Sequence, residues 1–224
     1  MRDHGAVPDN IPGLRKHLDL SALSPASVYA TMTQTIVPRP VAWITSVSEA
    51  GVVNLAPYSY FNAMASDPPL VVVSFGRRPD GSPKDTRRNI LDGGAFVVNI
   101  AHREMAEAMT ASSATMPEDV PEVEALGPAT APMPGTGVPR LADCRIAYAC
   151  VHEETRMIGQ QTLVFARLTH LHLDDSVVGE DAKGRLEGAA EGGCEGARPD
   201  RAARRGRVRD VRRDRVDPAA GLRS

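Results

Sequence analysis

The sequence predicts a mainly β protein, an antiparallel barrel or sandwich with short helices at its edges. Three observations carry that expectation. About six segments have the β-branched and aromatic content of strands, and most follow one another with only turns between them. Two of them, residues 70–75 and 96–100, are continuous apolar runs, the pattern of strands buried on both faces. The helical stretches are short and do not alternate with strands as a βαβ sheet requires.

Taken in order, residues 1–23 are polar, hold Pro8, Pro12 and Gly13, and read as an arm. Ser24-Pro25 has the form of an N-cap followed by proline at the first helical position, opening a helix to about residue 31. Pro38 and Pro40 force an extended chain over residues 37–46, which continues with Val41, Trp43, Ile44 and Thr45. Glu49-Ala50-Gly51 is a turn, and residues 52–56 return as the second strand of a hairpin. Pro57 is expected to break the ladder there, and Asp67-Pro68-Pro69 punctuates the chain before the first apolar run. Residues 77–82 form a loop. Residues 85–92 read as a helix with Gly93 as its C-cap. A second amphipathic helix is expected over 102–112, with Met105, Ala108 and Met109 on one side. Residues 113–139 form a long loop with a helical turn at 120–126. Strands over 140–152 and 161–173 close the pattern, turning near Gly159.

The chain has 224 residues and suits one domain with arms. A net charge of −2 gives no basic surface for nucleic acid, and no such partner is expected. Cys144, Cys150 and Cys194 form no C-x-x-C pair, which argues against a disulfide framework and for a reducing, cytoplasmic setting. The first residues lack the apolar stretch of a secretory signal, and no run approaches the ~18–20 apolar residues that span a bilayer. His170 and His172 share one strand face but lack further ligands, so no metal is expected. Gly135-Thr136-Gly137 lacks the third glycine and the strand–helix frame of a dinucleotide fingerprint. Trp43, the only tryptophan, is expected in the core.

From residue 184 to 224 the composition changes. The segment holds no aromatic residue and no Ile, Met, Lys, Asn, Gln, Thr or His. Two readings stand: a disordered basic tail with too little apolar surface to order itself, or a frame-shifted translation. The second has a specific basis. Codons for Arg207-Val208-Arg209-Asp210-Val211, read one base later, allow Val-Tyr-Ala-Met-Ser. Those for residues 200–206 allow Ile-Ala-Arg-Leu-Gly-Gly, a string with the character of a normal domain.

Two stretches bear polar chemistry. In the first, residues 54–62 (NLAPYSYFN), Asn54, Tyr58, Ser59 and Asn62 crowd a strand-like segment in which Pro57 frees neighbouring backbone groups. A flat heteroaromatic ligand with a polar edge fits such a place; a solvent-facing loop also accounts for it. In the second, Ser82-Pro83-Lys84-Asp85-Thr86 enters a helix. Unpaired N–H groups and a partial positive charge suit a phosphate there. Lys84 adds a cation, Thr86 adds a hydroxyl, and Arg77 or Arg78 can reach in from the preceding loop. An N-cap at Asp85 beside a solvated lysine is the alternative.

With PRPVAWITS, NLAPYSYFN, DPPLVVVSF, SPKDT followed by NI, and FVVNI in that order, the chain resembles the flavin reductase-like family of FMN-binding split barrels, which includes flavoredoxin-like proteins. The resemblance spans about residues 28–173. It implies a Greek-key split β-barrel over 24–183 that forms a homodimer and binds FMN in a groove at the interface. It implies that Thr45, Ser46, Asn54 and the segment Ala56, Pro57, Tyr58, Ser59, Phe61 and Asn62 line the isoalloxazine and ribityl chain. Ser59, Lys84 and Thr86 would then lie near the ribityl–phosphate end, with Asp85 also among the cofactor-binding residues. It implies no dedicated catalytic acid or base, since the flavin supplies the redox chemistry. The implied activity is oxidoreduction. NADH or NADPH acts as a transient reductant, and electrons pass to free flavin, a partner monooxygenase, a quinone or a small protein. A flavoredoxin-like carrier without nicotinamide activity is the alternative, as is an impaired product of a disrupted gene. The sequence departs from the family at Gln160-Gln161, where many members carry Asp-His, and after residue 183.

Overall fold

A computed structural model describes residues 17–113, 127–180 and 186–187; of residues 180, 186 and 187 only the backbone is described. The chain divides after Asp174 into two units.

The first unit is built on one antiparallel sheet. Its strands are β1 (Ala42–Val47), β2 (Val53–Tyr58), β3 (Phe61–Ser66), β4 (Pro69–Phe75), β5 (Ala95–Ile100), β8 (Ile146–Ile158) and β9 (Gln161–Leu173), in the order β2-β1-β5-β8-β9-β4-β3. Two short strands, β6 (Thr130–Ala131) and β7 (Arg140–Leu141), pair apart from it. Consecutive strands form hairpins β1–β2, β3–β4 and β8–β9, while β5 crosses to lie between β1 and β8.

The connectivity forces the sheet to curl. Strands β2 and β3 are its two edges, yet only Ser59 and Tyr60 separate them in the chain. Three Cα steps reach about 11 Å at most. The edges of a flat sheet of this width would stand roughly 29 Å apart. The edges therefore approach one another without pairing, which is the split barrel the motifs imply. Tyr58 at the end of β2 accordingly meets Phe75 at the end of β4, ring centroids 4.6 Å apart.

The barrel core joins Ile44, Tyr58, Val71, Val73, Phe75, Phe96, Val98 and Val164, all buried. On the outer face of β1, Trp43 packs with Leu55, Leu141 and Cys144 beneath Met105, Ala108 and Met109. Trp43 and Ile44 are adjacent and both fully buried, so β1 is covered on both faces. The indole N–H of Trp43 donates to Ser112 Oγ at 2.8 Å. Asn99 is a further interior polar anchor. Its amide donates to Trp43 O and Thr45 Oγ1, and its oxygen accepts from Leu141 N. Cys144 and Cys150 are free and buried; burial pushes both thiols up to about 12.

Several boundaries depart from the sequence expectation. Helix α1 (Pro25–Thr35) starts where expected, with Ser24 Oγ accepting from Ser27 N, but continues a turn further. Pro57 does not end the ladder: it sits inside β2, opposite Trp43, and is tolerated because β2 is an edge strand. Strand β3 is not among the expected strands; its residues 62–66 are exposed and give no apolar alternation. Helix α2 (Asp85–Gly93) has its N-cap at Lys84 rather than Asp85. Its C-cap is Gly94, not Gly93, with Gly94 in the left-handed region at φ 71°. The expected helix over 102–112 is a 3-10 turn (Arg103–Met105) followed by α3 (Ala106–Ala111). The expected strand over 140–152 divides into β7 and the longer β8. The turn at Gly159 is as expected, with φ 56°.

In the second unit a 3-10 turn (Asp175–Val177) precedes an antiparallel pair, β10 (Gly179–Glu180) with β11 (Leu186–Glu187). The expectations for most of the N-terminal arm, the turn at 120–126 and nearly all of the 184–224 segment lie outside the described residues.

Candidate functional site

The register of the first hairpin places Ser46 directly opposite Asn54. In α2, Thr86 and Asn89 are three residues apart and so share a face. The two pairs meet. Asn54 Nδ2 donates to Thr86 Oγ1 at 2.7 Å, and Asn89 Nδ2 donates to Ser46 Oγ at 3.2 Å. All four residues are buried, none more than 6% exposed. The two polar stretches of the sequence are thus brought together, and the start of α2 is seated against the β1–β2 hairpin.

Positive charge gathers at that helix start. Lys84 occupies the N-cap position without a capping side chain, leaving the first-turn N–H groups to other partners. Its ammonium lies over the Tyr58 ring, 5.4 Å from the centroid. Burial, and then the like charge of Arg78, hold Lys84 below its ordinary value of 10.5. Asp85 is the first helical residue; its carboxylate takes Arg78 on one oxygen and Arg88 on the other. The loop that delivers Arg78 is held by its own bonds: Arg78 N donates to Ser82 O, and Asp80 Oδ1 accepts from both Ser82 N and Ser82 Oγ. Those bonds hold the Asp80 carboxyl below its ordinary value.

The remaining candidates are placed less uniformly. Ser59 Oγ accepts from Arg39 Nε at 3.3 Å, and the same guanidinium donates to Thr33 O and Ile36 O, tying the end of α1 to the β2–β3 link. Ala56 and Pro57 are half-buried in β2 beside Tyr58. Thr45 projects from β1 on the face opposite Ser46; its hydroxyl donates to Pro139 O at 2.6 Å and accepts from Asn99. Phe61 packs against the barrel core, while Asn62 is exposed and its Oδ1 accepts from Ala63 N. Ser46, Asn54, Tyr58, Lys84, Asp85 and Thr86 therefore form one contiguous group, with Ser59 linked through Arg39 and with Thr45, Phe61 and Asn62 directed elsewhere. Arg39 and Asn89 were not singled out from sequence. Asn89 had a usable signal, its three-residue spacing from Thr86 on a helix; Arg39 had none, because its acceptors Ser59, Thr33 and Ile36 lie twenty, six and three residues away with no common spacing.

This arrangement can receive a ligand with a dianionic end: a helix N-terminus and two cations stand beside a hydrogen-bonding strand edge. Among the described residues no three His, Cys, Asp or Glu side chains come together as a metal-binding group, and no helix is long and apolar enough to cross a membrane.

Residues 33–189 match the flavin reductase like domain family. An uncharacterized protein of Halalkalibacterium halodurans is 37% identical over 166 residues, covering 71% of this chain and 79% of that one. Among solved structures, nitrilotriacetate monooxygenase component B from Bacillus cereus is 31% identical with a TM-score of 0.69, covering 77% of this chain and 87% of that one. The 2-nitrobenzoate 2-nitroreductase of Pseudomonas fluorescens is also 31% identical, with a TM-score of 0.68 and coverages of 76% and 82%. The motifs, the curled seven-stranded sheet and these matches agree, and the chain belongs to the flavin reductase-like family.

Proposed function

We propose that the chain binds FMN, accepts hydride from NADH or NADPH onto it, and passes the electrons to an acceptor. The observation that carries this is the Asn54–Thr86 bond, which seats the start of α2, with Lys84 and Arg78, against β2. Lys84 is half-buried and acted on by a cation of the same sign, so a dianion placed there relieves a standing repulsion. A phosphate monoester carries ~1.5–2 negative charges at neutral pH and suits that place. In this reading Lys84, Arg78 and the first N–H groups of α2 hold the phosphate, and Tyr58, Ser59 and the backbone of residues 56–62 lie along the flavin. Bound there, FMN supplies the two-electron redox chemistry; the chain's own residues bind, orient and shield it.

The acceptor is read from the relatives. One similar protein is named a monooxygenase component and another a nitroreductase, which supports either a partner oxygenase or a small oxidised molecule at the same flavin. A homodimer that completes the groove around residues 59–62 belongs to the same proposal. The exposed, unpaired edge of β3, with Met64 56% exposed, supports it.

The test is anaerobic. The purified chain is loaded with FMN and mixed with NADH, then with NADPH, while flavin absorbance is followed. Bleaching by either nucleotide is expected. A bound flavin that neither bleaches would make the chain a carrier, and failure to bind FMN would remove the reading altogether.

A further inference from the structure

Four buried polar side chains form a closed square: Ser46 and Asn54 face each other across the hairpin, Thr86 and Asn89 stand one helical turn apart on α2, and two hydrogen bonds join the pairs. Only Asn54 and Thr86 lie at the end of α2 where the charges gather. Asn89 sits a turn deeper, and its amide bonds Ser46.

The rest of the contact between α2 and the hairpin explains why that matters. The residues α2 buries fully are Thr86, Asn89 and Ile90, with Leu91 half-buried against the same core, so two aliphatic side chains accompany two polar ones. Apolar contact is non-directional and lets a helix slide or roll. Two hydrogen bonds a turn apart fix both its rotation and its axial position. Without the Asn89–Ser46 bond, only the non-directional apolar contact of Ile90 and Leu91 would hold the deeper turn of α2.

We propose that Asn89, acting through Ser46, is a positioning residue that sets the aim of the α2 N-terminus and thereby the preference for a phosphorylated flavin over an unphosphorylated one. The inference rests on the FMN reading above. It assigns Ser46 a supporting role on the helix side of β1, distinct from contact with the flavin ring.

The experiment compares FMN with riboflavin, which lacks the phosphate, by fluorescence titration of the full chain and of Asn89→Ala, Ser46→Ala and the double variant. Thermal unfolding is recorded for each. The unmodified chain is expected to bind FMN more tightly than riboflavin. Each single variant should reduce that preference about five- to tenfold, the usual worth of one hydrogen bond. Riboflavin affinity should stay within about twofold, and the double variant should lose no more than either single one. Asn89→Ser, which can still reach a hydroxyl partner through water, should recover part of the preference. An unchanged preference in folded Asn89→Ala, or equal losses for FMN and riboflavin, overturns the inference while leaving the FMN reading intact. If Asn89→Ala does not fold, Ser46→Ala decides by the same criterion. An unmodified chain with no preference for FMN overturns the reading on which the inference stands.

Discussion

Asn54 and Thr86, thirty-two residues apart in sequence, are joined by a buried 2.7 Å hydrogen bond from the strand amide to the helix hydroxyl. The bond links the β1–β2 hairpin to the loop-helix unit that follows β4, and it makes one place of two stretches that are separate in the chain. What the chain can bind there depends on the cations that this contact draws in.

Removing the principal cation should cost affinity for the phosphate alone. Lys84→Ala is expected to weaken FMN binding by roughly 1.5–3 kcal/mol, the worth of a charged hydrogen bond. Calorimetric titration with FMN and riboflavin checks this: the loss should appear for FMN and be nearly absent for riboflavin.

The same lysine sets an alkaline limit. Burial and Arg78 lower the Lys84 value in the free protein, and a bound dianion would raise it again. FMN binding therefore takes up a proton once pH exceeds the free-protein value. Affinity is full below that value and falls as pH rises through it, starting before the ordinary 10.5 is reached. Titrations across the alkaline range should show this fall for the unmodified chain and not for Lys84→Arg, whose guanidinium keeps its proton.

Trp43 depends on one hydroxyl. Its indole N–H is buried against Ser112 Oγ, so Ser112→Ala strands a donor in the interior at a cost of about 1–3 kcal/mol. Urea unfolding followed by the fluorescence of this single tryptophan should show a lower midpoint with an unchanged slope.

Gly135 should resist substitution for two separable reasons. Its φ is +78°, and a Cβ there would stand 2.0 Å from Nδ1 of His170. Gly135→Ala should lose the left-handed cost of about 1–2 kcal/mol plus that of displacing the ring. Adding His170→Ala should return the second part and leave the first, as thermal unfolding of the two single variants and the pair will report.

The segment beyond residue 183 has a test in DNA. If it is frame-shifted, resequencing will find a one-base change that restores a reading through Ile-Ala-Arg-Leu-Gly-Gly and Val-Tyr-Ala-Met-Ser. An uninterrupted, verified frame refutes that reading.

What was legible in the sequence follows from where each signal is stored. Strand β5, buried on both faces, announces itself as an apolar run; β4 does so too, although only its Val71, Val73 and Phe75 face is buried, contrary to the expectation of two covered faces, and Ser24-Pro25 marks the start of α1 because capping is local. Strand β3 gives no signal because residues 62–66 are exposed on both its faces and hold no apolar alternation, and its place is fixed by pairing with β4. Pro57 misled because a proline's effect depends on whether its strand lies at an edge, which only the strand order reveals. At the candidate site, Lys84 and Thr86 could be picked out because helix starts favour anions. Arg39 could not: its three acceptors, Thr33, Ile36 and Ser59, come together only through the turn of the chain after α1. Thr45 and Ser46 are neighbours in sequence, yet strand alternation sends their hydroxyls to Pro139 and to Asn89, on opposite faces of β1.

The most direct measurement is a fluorescence titration of the purified full chain with FMN and, separately, riboflavin at neutral pH. The account predicts saturable binding of one FMN per chain, at least about tenfold tighter than riboflavin, the worth of one charged contact to the phosphate. Equal affinities, or no binding of either flavin, would contradict it.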